Sequence, residues 1–306
     1  MRFSFKSLPD LLNSFQDEQT CREYLAIQRW GKKPVCVHCG NMENIYTIEG
    51  GKRYKCSGCK KKFSVTVGTI FEKSHISLNI WFAAIYLATA HKKGISSLQL
   101  SRDLGITQKS AWFVLHRVRE MLREKNPEIL TGTVEADETF VGGKNKNRHA
   151  SKKVEESQGR SVKDKTPVFG VIQRGGKLNT RVVPDTKAKT LKPIVAELVE
   201  RGAIVVTDEW NAYKGLTKDY AHHVIRHRDN EYMRDGMHTN TIEGFWSLFK
   251  RGIYGIYHYA SPKHLHRYTD EFSYRYNTRK ELDQERFSSS LTRADGRLTY
   301  KQLTAK

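Results

Sequence analysis

No apolar run in this 306-residue chain is long enough to cross a bilayer. The densest, Ile80 to Ala90 (IWFAAIYLATA), falls well short of the ~20 residues that a spanning helix needs. Acidic residues are scarce as well: 33 Asp and Glu stand against 53 Lys and Arg, a net charge of +20. Such a deficit of negative charge points to a polyanionic partner, either nucleic acid or an anionic membrane surface. With no spanning segment to support the second, nucleic acid is the better reading and no membrane partner is expected. The opening residues, MRFSFKSLPDLL, lack both a long apolar run and a small-residue cleavage site, so no secretory leader is predicted and a cytoplasmic protein is expected. There are no internal repeats, and Gly (22) and Pro (7) are ordinary in number. The length suits about two domains and a sizeable core.

Cysteine is rare, five in all, yet four of the five form two C-x₂-C pairs, Cys36 with Cys39 and Cys56 with Cys59, sixteen residues apart. Zn²⁺ takes four thiolates tetrahedrally, and a C-x₂-C knuckle lets two sulfurs grip one metal. Gly40 and Gly58 ease the turns. The pattern predicts a structural zinc ribbon over 34–72, with β-like runs at 44–48, 53–56 and 63–67. Two disulfides would need an oxidising compartment that nothing here suggests. Cys21 stands outside the set and reads as an ordinary buried or free thiol. Lys60, Lys61 and Lys62, on the second knuckle, are placed to meet phosphates.

Residues 1–33 read as an amphipathic helical segment, and 73–128 as helices broken at Lys92-Lys93-Gly94 and Gly105. Within the latter, GISSLQLSRDLGITQKSAWFVLHRVREML has a helix, a glycine turn and a second helix capped by Thr107. Leu98, Leu104, Ile106, Ala111, Val114, Leu115 and Val118 would pack the pair. Gln108, Lys109, Ser110 and His116 or Arg117 would face a major groove, as in a helix-turn-helix. A plain helical hairpin is the blander reading, but beside a strongly basic charge and a zinc ribbon, DNA binding is favoured.

From 129 the periodicity changes. GTVEADETFV (132–141), PVFGVIQ (167–173), 180–183 and AIVVT (203–207) read as strands, with a helix at 191–200 before the last. Alternation puts Val134, Ala136 and Glu138 on one face of the first strand and Glu135 and Asp137 on the other. Asp208 closes the most hydrophobic strand, and an acid there is costly to desolvate unless paired or metal-bound. Strand ends are also where α/β sheets place their sites. Helices follow at about 240–253 and 262–280, the second opened by Ser261-Pro262. HTNTIEGFWSLFKRG (238–252) carries an apolar stripe of Ile242, Phe245, Trp246 and Phe249, continued by Ile253, and an opposite polar face of Asn240, Glu243, Ser247 and Lys250. Glu243 lies 35 positions after Asp208, and Lys250 two helical turns further on the same face. Each acid alone is more often a cap or turn residue than a catalyst; it is the ordered combination that points to a site.

Those motifs, CVHCG…CSGCKKKFSVTVGTIF, EADETFVGGK, VVTDEWNAY, HTNTIEGFWSLFKRG and YHYASPKHLHRYTDEFSYRYNTR, resemble the DDE transposases of bacterial insertion sequences, specifically those with an N-terminal zinc ribbon and helix-turn-helix. The likeness covers nearly the whole chain. It implies a multidomain α+β and α/β protein, with an RNase H-like mixed sheet flanked by helices over 129–282. The residues from 283 to 306 are polar in composition and read as a frayed tail. The likeness implies two-metal phosphoryl transfer, with Asp137, Asp208 and a residue of 240–243 holding two Mg²⁺ ions, for which Mn²⁺ can substitute. Glu243 ranks first as third ligand for its charge and its offset from Lys250. Asn240 remains open, because some relatives use Asn there and the two share one helical face. Lys250, with Arg251 beside it, would contact DNA. The partners implied are double-stranded DNA, both element ends and target, and at least a second copy of the chain. The setting implied is the bacterial cytoplasm, at the nucleoid.

Other features carry less. His222, His223, His227 and His238 read as packing or hydrogen-bonding residues before they read as metal ligands, and only His238, beside Asn240, merits testing. The stretch 144–165, with eight Lys and Arg against three acids, reads as a solvated loop that could touch DNA, and Gly142-Gly143 would let backbone approach a phosphate. Trp210 and Tyr213 read as packing, with base stacking by an exposed Trp210 as the alternative. Two rival functions stay in view: a structure-specific nuclease on the same fold, and a DNA-binding regulator descended from an inactive transposase.

Overall fold

Helix α1 (Leu8–Ser14) starts where the Ser7 hydroxyl accepts the Asp10 N–H, and α2 (Glu18–Trp30) where the Asp17 carboxylate accepts that of Thr20. These caps open the first unit of a computed structural model that describes residues 3–143, 149–155, 157 and 161–305. The chain divides into two units, Met1–Arg123 with Lys280–Lys306, and Glu124–Arg279.

In the first unit α3 (Leu78–Ala90) is buried from Trp81 through Thr89, as a helix with no polar stripe must be. It is the apolar run singled out above. No helix among the described residues is long and apolar enough to cross a membrane. Phe82 of α3 meets Phe15 edge-on, and Phe15 in turn meets Phe5 edge-on. The antiparallel ribbon β1 (Ile45–Ile48), β2 (Arg53–Cys56) and β3 (Lys62–Phe63) lies in the expected place, with a shorter last strand. Helices α4 (Ser97–Leu104) and α5 (Gln108–Leu122) turn at Gly105, whose φ of 64° is left-handed, and Thr107 caps α5 by accepting from the Ser110 N–H.

The end of the chain departs from expectation. The polar composition from 283 onward suggests a frayed tail, but these residues form helices at Asp283–Leu291 and Tyr300–Thr304 within the first unit. Phe287 and Leu291 are wholly buried, with Phe287 edge-on to Phe5 and Phe82. The few apolar residues are spaced along one face, and a polar average over the window conceals them.

The second unit is a five-stranded mixed sheet in the order β6-β5-β4-β7-β8, built from β4 (Thr133–Val141), β5 (Thr166–Gln173), β6 (Leu178–Val182), β7 (Ile204–Asp208) and β8 (Ala221–Ile225). The first three strands run antiparallel to their neighbours; β7 and β8 add in parallel to β4. β8 (AHHVI) was not anticipated: it is a half-exposed edge strand whose two histidines obscure the alternation. The α6 helix (Ala188–Leu198) packs its Leu191, Val195 and Leu198 with Val134, Ala136 and Val205. On the opposite face α7 (Asn240–Gly255) and α8 (Leu265–Asn277) pack with Val141, Val168 and Ile172. This is the helix-flanked mixed sheet the motifs led us to expect. Gly170 of β5, opposite Asp137 in register, lets α7 lie down on the sheet, because a Cβ there would sit 2.7 Å from Trp246.

Candidate active site and metal centres

The four cysteines come together as the spacing predicts. Their sulfurs lie within 4.8 Å of one another, with Cys36 to Cys59 at 3.6 Å and Cys39 to Cys56 at 3.7 Å. A tetrahedron with Zn–S bonds of about 2.3 Å has edges of about 3.8 Å, so the donor set fits Zn²⁺, and the separations are far too long for S–S bonds. The backbone N–H of Cys59, and the Asn41 side chain after it, draw the Cys56 thiol down to about 6, toward the thiolate a metal takes. Gly40 has a left-handed φ of 74°, but in the second knuckle that conformation falls on Lys60 at 61°, not on Gly58. Cys21 is buried, its thiol pushed up to about 12 by desolvation.

Of the residues assigned to DNA, Lys60, Lys61, Lys62, Gln108, Lys109 and Arg251 are exposed and Ser110 is half-exposed. Arg117 is a correction. It is only 3% exposed, donates to the Glu72 carbonyl at 2.7 Å and lies over the rings of Trp81 and Phe113. Desolvation brings its guanidinium down to about 10. His116 is likewise buried, and Leu98, expected inside, is 49% exposed. The helix phase was misjudged at both ends of the hairpin.

In the second unit β4 pairs with β7 only from Thr133 to Glu135, after which the two strands part. The opening lies at the carboxyl ends of parallel strands, the place where open sheets hold ligands. Asp137, Glu138 and Asp208 converge there, with a carboxylate oxygen from each within 4.8 Å of the others. They line a cavity of about 430 Å³ together with Thr139, Phe140, His227, Tyr232, Thr239, Glu243 and Lys250. Burial, then the charges of Glu138 and Asp208, push the Asp137 carboxyl up to about 8. The Trp210 N–H donates to Asp208 Oδ1 at 3.0 Å, and the buried Tyr213 hydroxyl donates to Glu138 Oε2 at 2.6 Å. Trp210, partly buried, gives its indole N–H to the Thr186 carbonyl and packs on the core, as the packing reading has it.

A second buried acid sets the position of α7. Glu135 is wholly buried; its Oε2 accepts the N–H groups of Thr241 and Ile242 at 2.9 and 3.0 Å, and its Oε1 accepts the Thr241 hydroxyl and Arg174 Nε. A carboxylate on the free N–H groups of a helix start is favoured by both hydrogen bonding and dipole. Arg174 also donates to the carbonyls of Gly236 and His238. His238 puts Nδ1 3.4 Å from Glu135 Oε1 and does not line the cavity; His227 does.

So held, α7 places Glu243 and Lys250 in the lining of the cavity, and Asn240 outside it. Glu243 stands apart from the three converged acids: its Oε1 accepts the Thr239 hydroxyl at 2.6 Å and lies 3.4 Å from His227 Nε2. Desolvation holds the Lys250 ammonium below its ordinary value, with Asp137 acting the other way. Gly142 serves its own chain, since a Cβ there would meet the Asp164 carbonyl at 2.8 Å. Of the basic stretch 144–165, residues 144–148, 156 and 158–160 lie outside the described residues.

Sequence reasoning missed Glu138, Tyr213, Glu135 with Arg174, and His227. Strict alternation sent Glu138 away from Asp137, and it fails because the parting of β4 from β7 lets both faces reach one cleft. The bond from Arg174 to Glu135 spans 39 positions and left no local signal. The donor set of Asp137, Glu138 and Asp208, all hard oxygens crowded at low exposure, fits Mg²⁺ or a similar divalent cation.

Residues 129–277 match the family model described as the ISXO2-like transposase domain, and residues 16–62 the transposase zinc-ribbon domain. A protein of the transposable element ISH50 of Halobacterium salinarum is 28% identical over 256 residues, covering 79% of this chain and 85% of that one. A transposase-like protein of Haemophilus influenzae is 30% identical over 102 residues, 33% of this chain and 81% of its own. Among solved structures, the crystal structure of the Mos1 strand transfer complex overlaps 71% of this chain and 79% of its own at 12% identity, with a TM-score of 0.23.

Proposed function

We propose, for a chain that belongs to the ISXO2-like transposases and bears a transposase zinc ribbon, that it cleaves the ends of an insertion sequence and joins them to target DNA. One observation carries this reading: Asp137, Asp208 and Glu243 come from three separate elements to line one cavity, with Lys250 beside them. Asp137, Asp208 and Glu243 would hold two divalent cations, Mg²⁺ with Mn²⁺ able to substitute. Glu243 takes the third place in preference to Asn240, supported by its charge and its place in the cavity lining. When bound, the ions supply Lewis-acid activation of an attacking oxygen and charge stabilisation of a leaving one.

The reaction balances without an enzyme nucleophile. A water oxygen bonds to phosphorus at the element end, the bond from phosphorus to the 3′ oxygen breaks, and a 3′-OH is left. That 3′ oxygen then bonds to phosphorus in the target and displaces the target's own 3′ oxygen. Lys250 pairs with a phosphate oxygen near the scissile bond. Glu135 and Arg174 fix the start of α7, the helix that carries Glu243 and Lys250. Lys60, Lys61, Lys62, Gln108, Lys109 and Ser110 read the element ends and their phosphates, and Arg251 extends the contact made by Lys250. Two ends must be brought together, so the active form on DNA is at least a dimer, working at the nucleoid in the cytoplasm. The test is the joining of a pre-cleaved 3′-OH end to a second duplex in Mg²⁺. Joined product is expected; hydrolysis without joining would leave a nuclease, and no divalent-dependent chemistry would leave a DNA-binding regulator.

A further inference from the structure

Four carboxylates line the cavity, Asp137, Glu138, Asp208 and Glu243, against one ammonium, Lys250, and the imidazole of His227. They are not equivalent. Asp137, Glu138 and Asp208 already have oxygens within 4.8 Å of one another, a separation that one small cation can bridge. Glu243 is engaged elsewhere, by the Thr239 hydroxyl at 2.6 Å and by His227. Glu138 is oriented from behind by a tyrosine with almost no other reason to be polar: Tyr213 is 1% exposed, sits among the aliphatic residues of the α6 core, and aims its hydroxyl at Glu138 Oε2. Partners of this kind orient metal-binding carboxylates and are typically worth about 10–100-fold in metal affinity.

We infer that Glu138 is a further ligand of the divalent cation, that Tyr213 is its positioning residue, and that without DNA the first ion is held by Asp137, Glu138 and Asp208 and not by Glu243. Glu243 then joins only when Thr239 and His227 release it, which makes completion of the metal site a step that follows DNA binding. The competing account makes Glu138 nothing more than the acceptor that satisfies a buried tyrosine. That account does not require two further carboxylates to crowd against it in a poorly solvated cleft, where like charges repel most strongly.

This inference rests on the metal-dependent reading of the site. It is tested by Mn²⁺ binding to the zinc-loaded full chain without DNA, followed by electron paramagnetic resonance and calorimetry. Wild type is expected to bind and Asp208→Ala to lose binding. Glu138→Gln should weaken binding at least about tenfold, Tyr213→Phe by about tenfold, and Glu243→Gln by less than about twofold. Thermal unfolding of each variant identifies any loss that comes from misfolding, and the near-isosteric Tyr213→Phe keeps the proposal falsifiable if Glu138→Gln folds poorly. Glu138→Gln and Tyr213→Phe binding like wild type, or Glu243→Gln losing as much as Asp208→Ala, would overturn the inference and leave the transposase reading intact. A wild type that binds no Mn²⁺ would overturn the metal site itself, and this inference with it.

Discussion

The cysteine cluster and the acid cluster are both donor sets suited to divalent metal, yet the chain builds them in opposite ways. The cysteines come in two local pairs on tight knuckles, and their sulfurs stand at the spacing Zn²⁺ imposes. Little else holds the ribbon: its buried core is Cys36, Cys56 and Phe63, with Trp30, Tyr54 and a few other partly buried residues against it. The acids come from β4, β7 and α7, spread over more than a hundred positions from Asp137 to Glu243, and a full core of sheet and helices holds their frame. In the ribbon the metal holds the fold; in the second unit the fold holds the place for the metal.

That contrast predicts where a single change does most damage. Cys56→Ser should release zinc and unfold the ribbon, because structural Zn²⁺ contributes on the order of 10–16 kcal/mol in small zinc modules. Zinc analysis and the emission of Trp30, which packs edge-on to Tyr54 and Phe63, report it. A ribbon that keeps its Trp30 environment without metal would erase the contrast. The matching test in the second unit is Glu135→Ala. It leaves Arg174 and the α7 N–H groups without their buried acceptor and should cost roughly 3–5 kcal/mol in urea unfolding. A loss under about 1 kcal/mol would mean that α7 is held by its apolar stripe alone.

The pH response separates the two centres further. With no added divalent ion, the folded value of Asp137 is raised from 3.8 to about 8, chiefly by burial. The neutral form therefore stabilises the fold fully at acid pH, and this contribution is lost as pH rises from about 4 through 8. Zinc-loaded protein without Mg²⁺ should lose melting temperature over that window, and Asp137→Asn should flatten the trend. Added Mg²⁺ should displace a proton below pH 8, read by calorimetry in buffers of different ionisation enthalpy. An unchanged slope in Asp137→Asn would refute the assignment.

Legibility follows the same division. Cys36 through Cys59, the Gly105 turn, the Thr107 cap and the apolar stripe of α7 are written in adjacent residues, and the structure has them as the sequence suggested. Asp137, inside a strand of mostly apolar or small neighbours, and Asp208, at the end of another, could be marked as unusual acids. Glu138 could not, because its role depends on where β4 parts from β7, a property of pairing and not of alternation. Nor could Glu135 with Arg174, joined across the sheet, or Arg117, whose position on a basic helix resembled a DNA contact until Trp81 and Phe113 enclosed it. Phe287 and Leu291 were hidden by the polar average around them.

The smallest effect belongs to the ribbon's exposed lysines. Lys61→Ala should reduce the salt dependence of DNA binding by about one phosphate contact, a change in slope near 0.9. Stability should stay within about 0.5 kcal/mol of wild type. An unchanged slope would remove the second knuckle from the DNA surface and leave the ribbon a metal staple only.

The central claim is that the cleft between β4 and β7 is the catalytic site, and Asp208→Ala tests it most directly. Cleavage of element ends and joining of pre-cleaved ends are measured side by side in Mg²⁺, with zinc content and binding to the ends as controls. The account predicts that both reactions fall by at least about 10³-fold while binding and zinc are retained. End cleavage at the wild-type rate would place the chemistry elsewhere in the molecule.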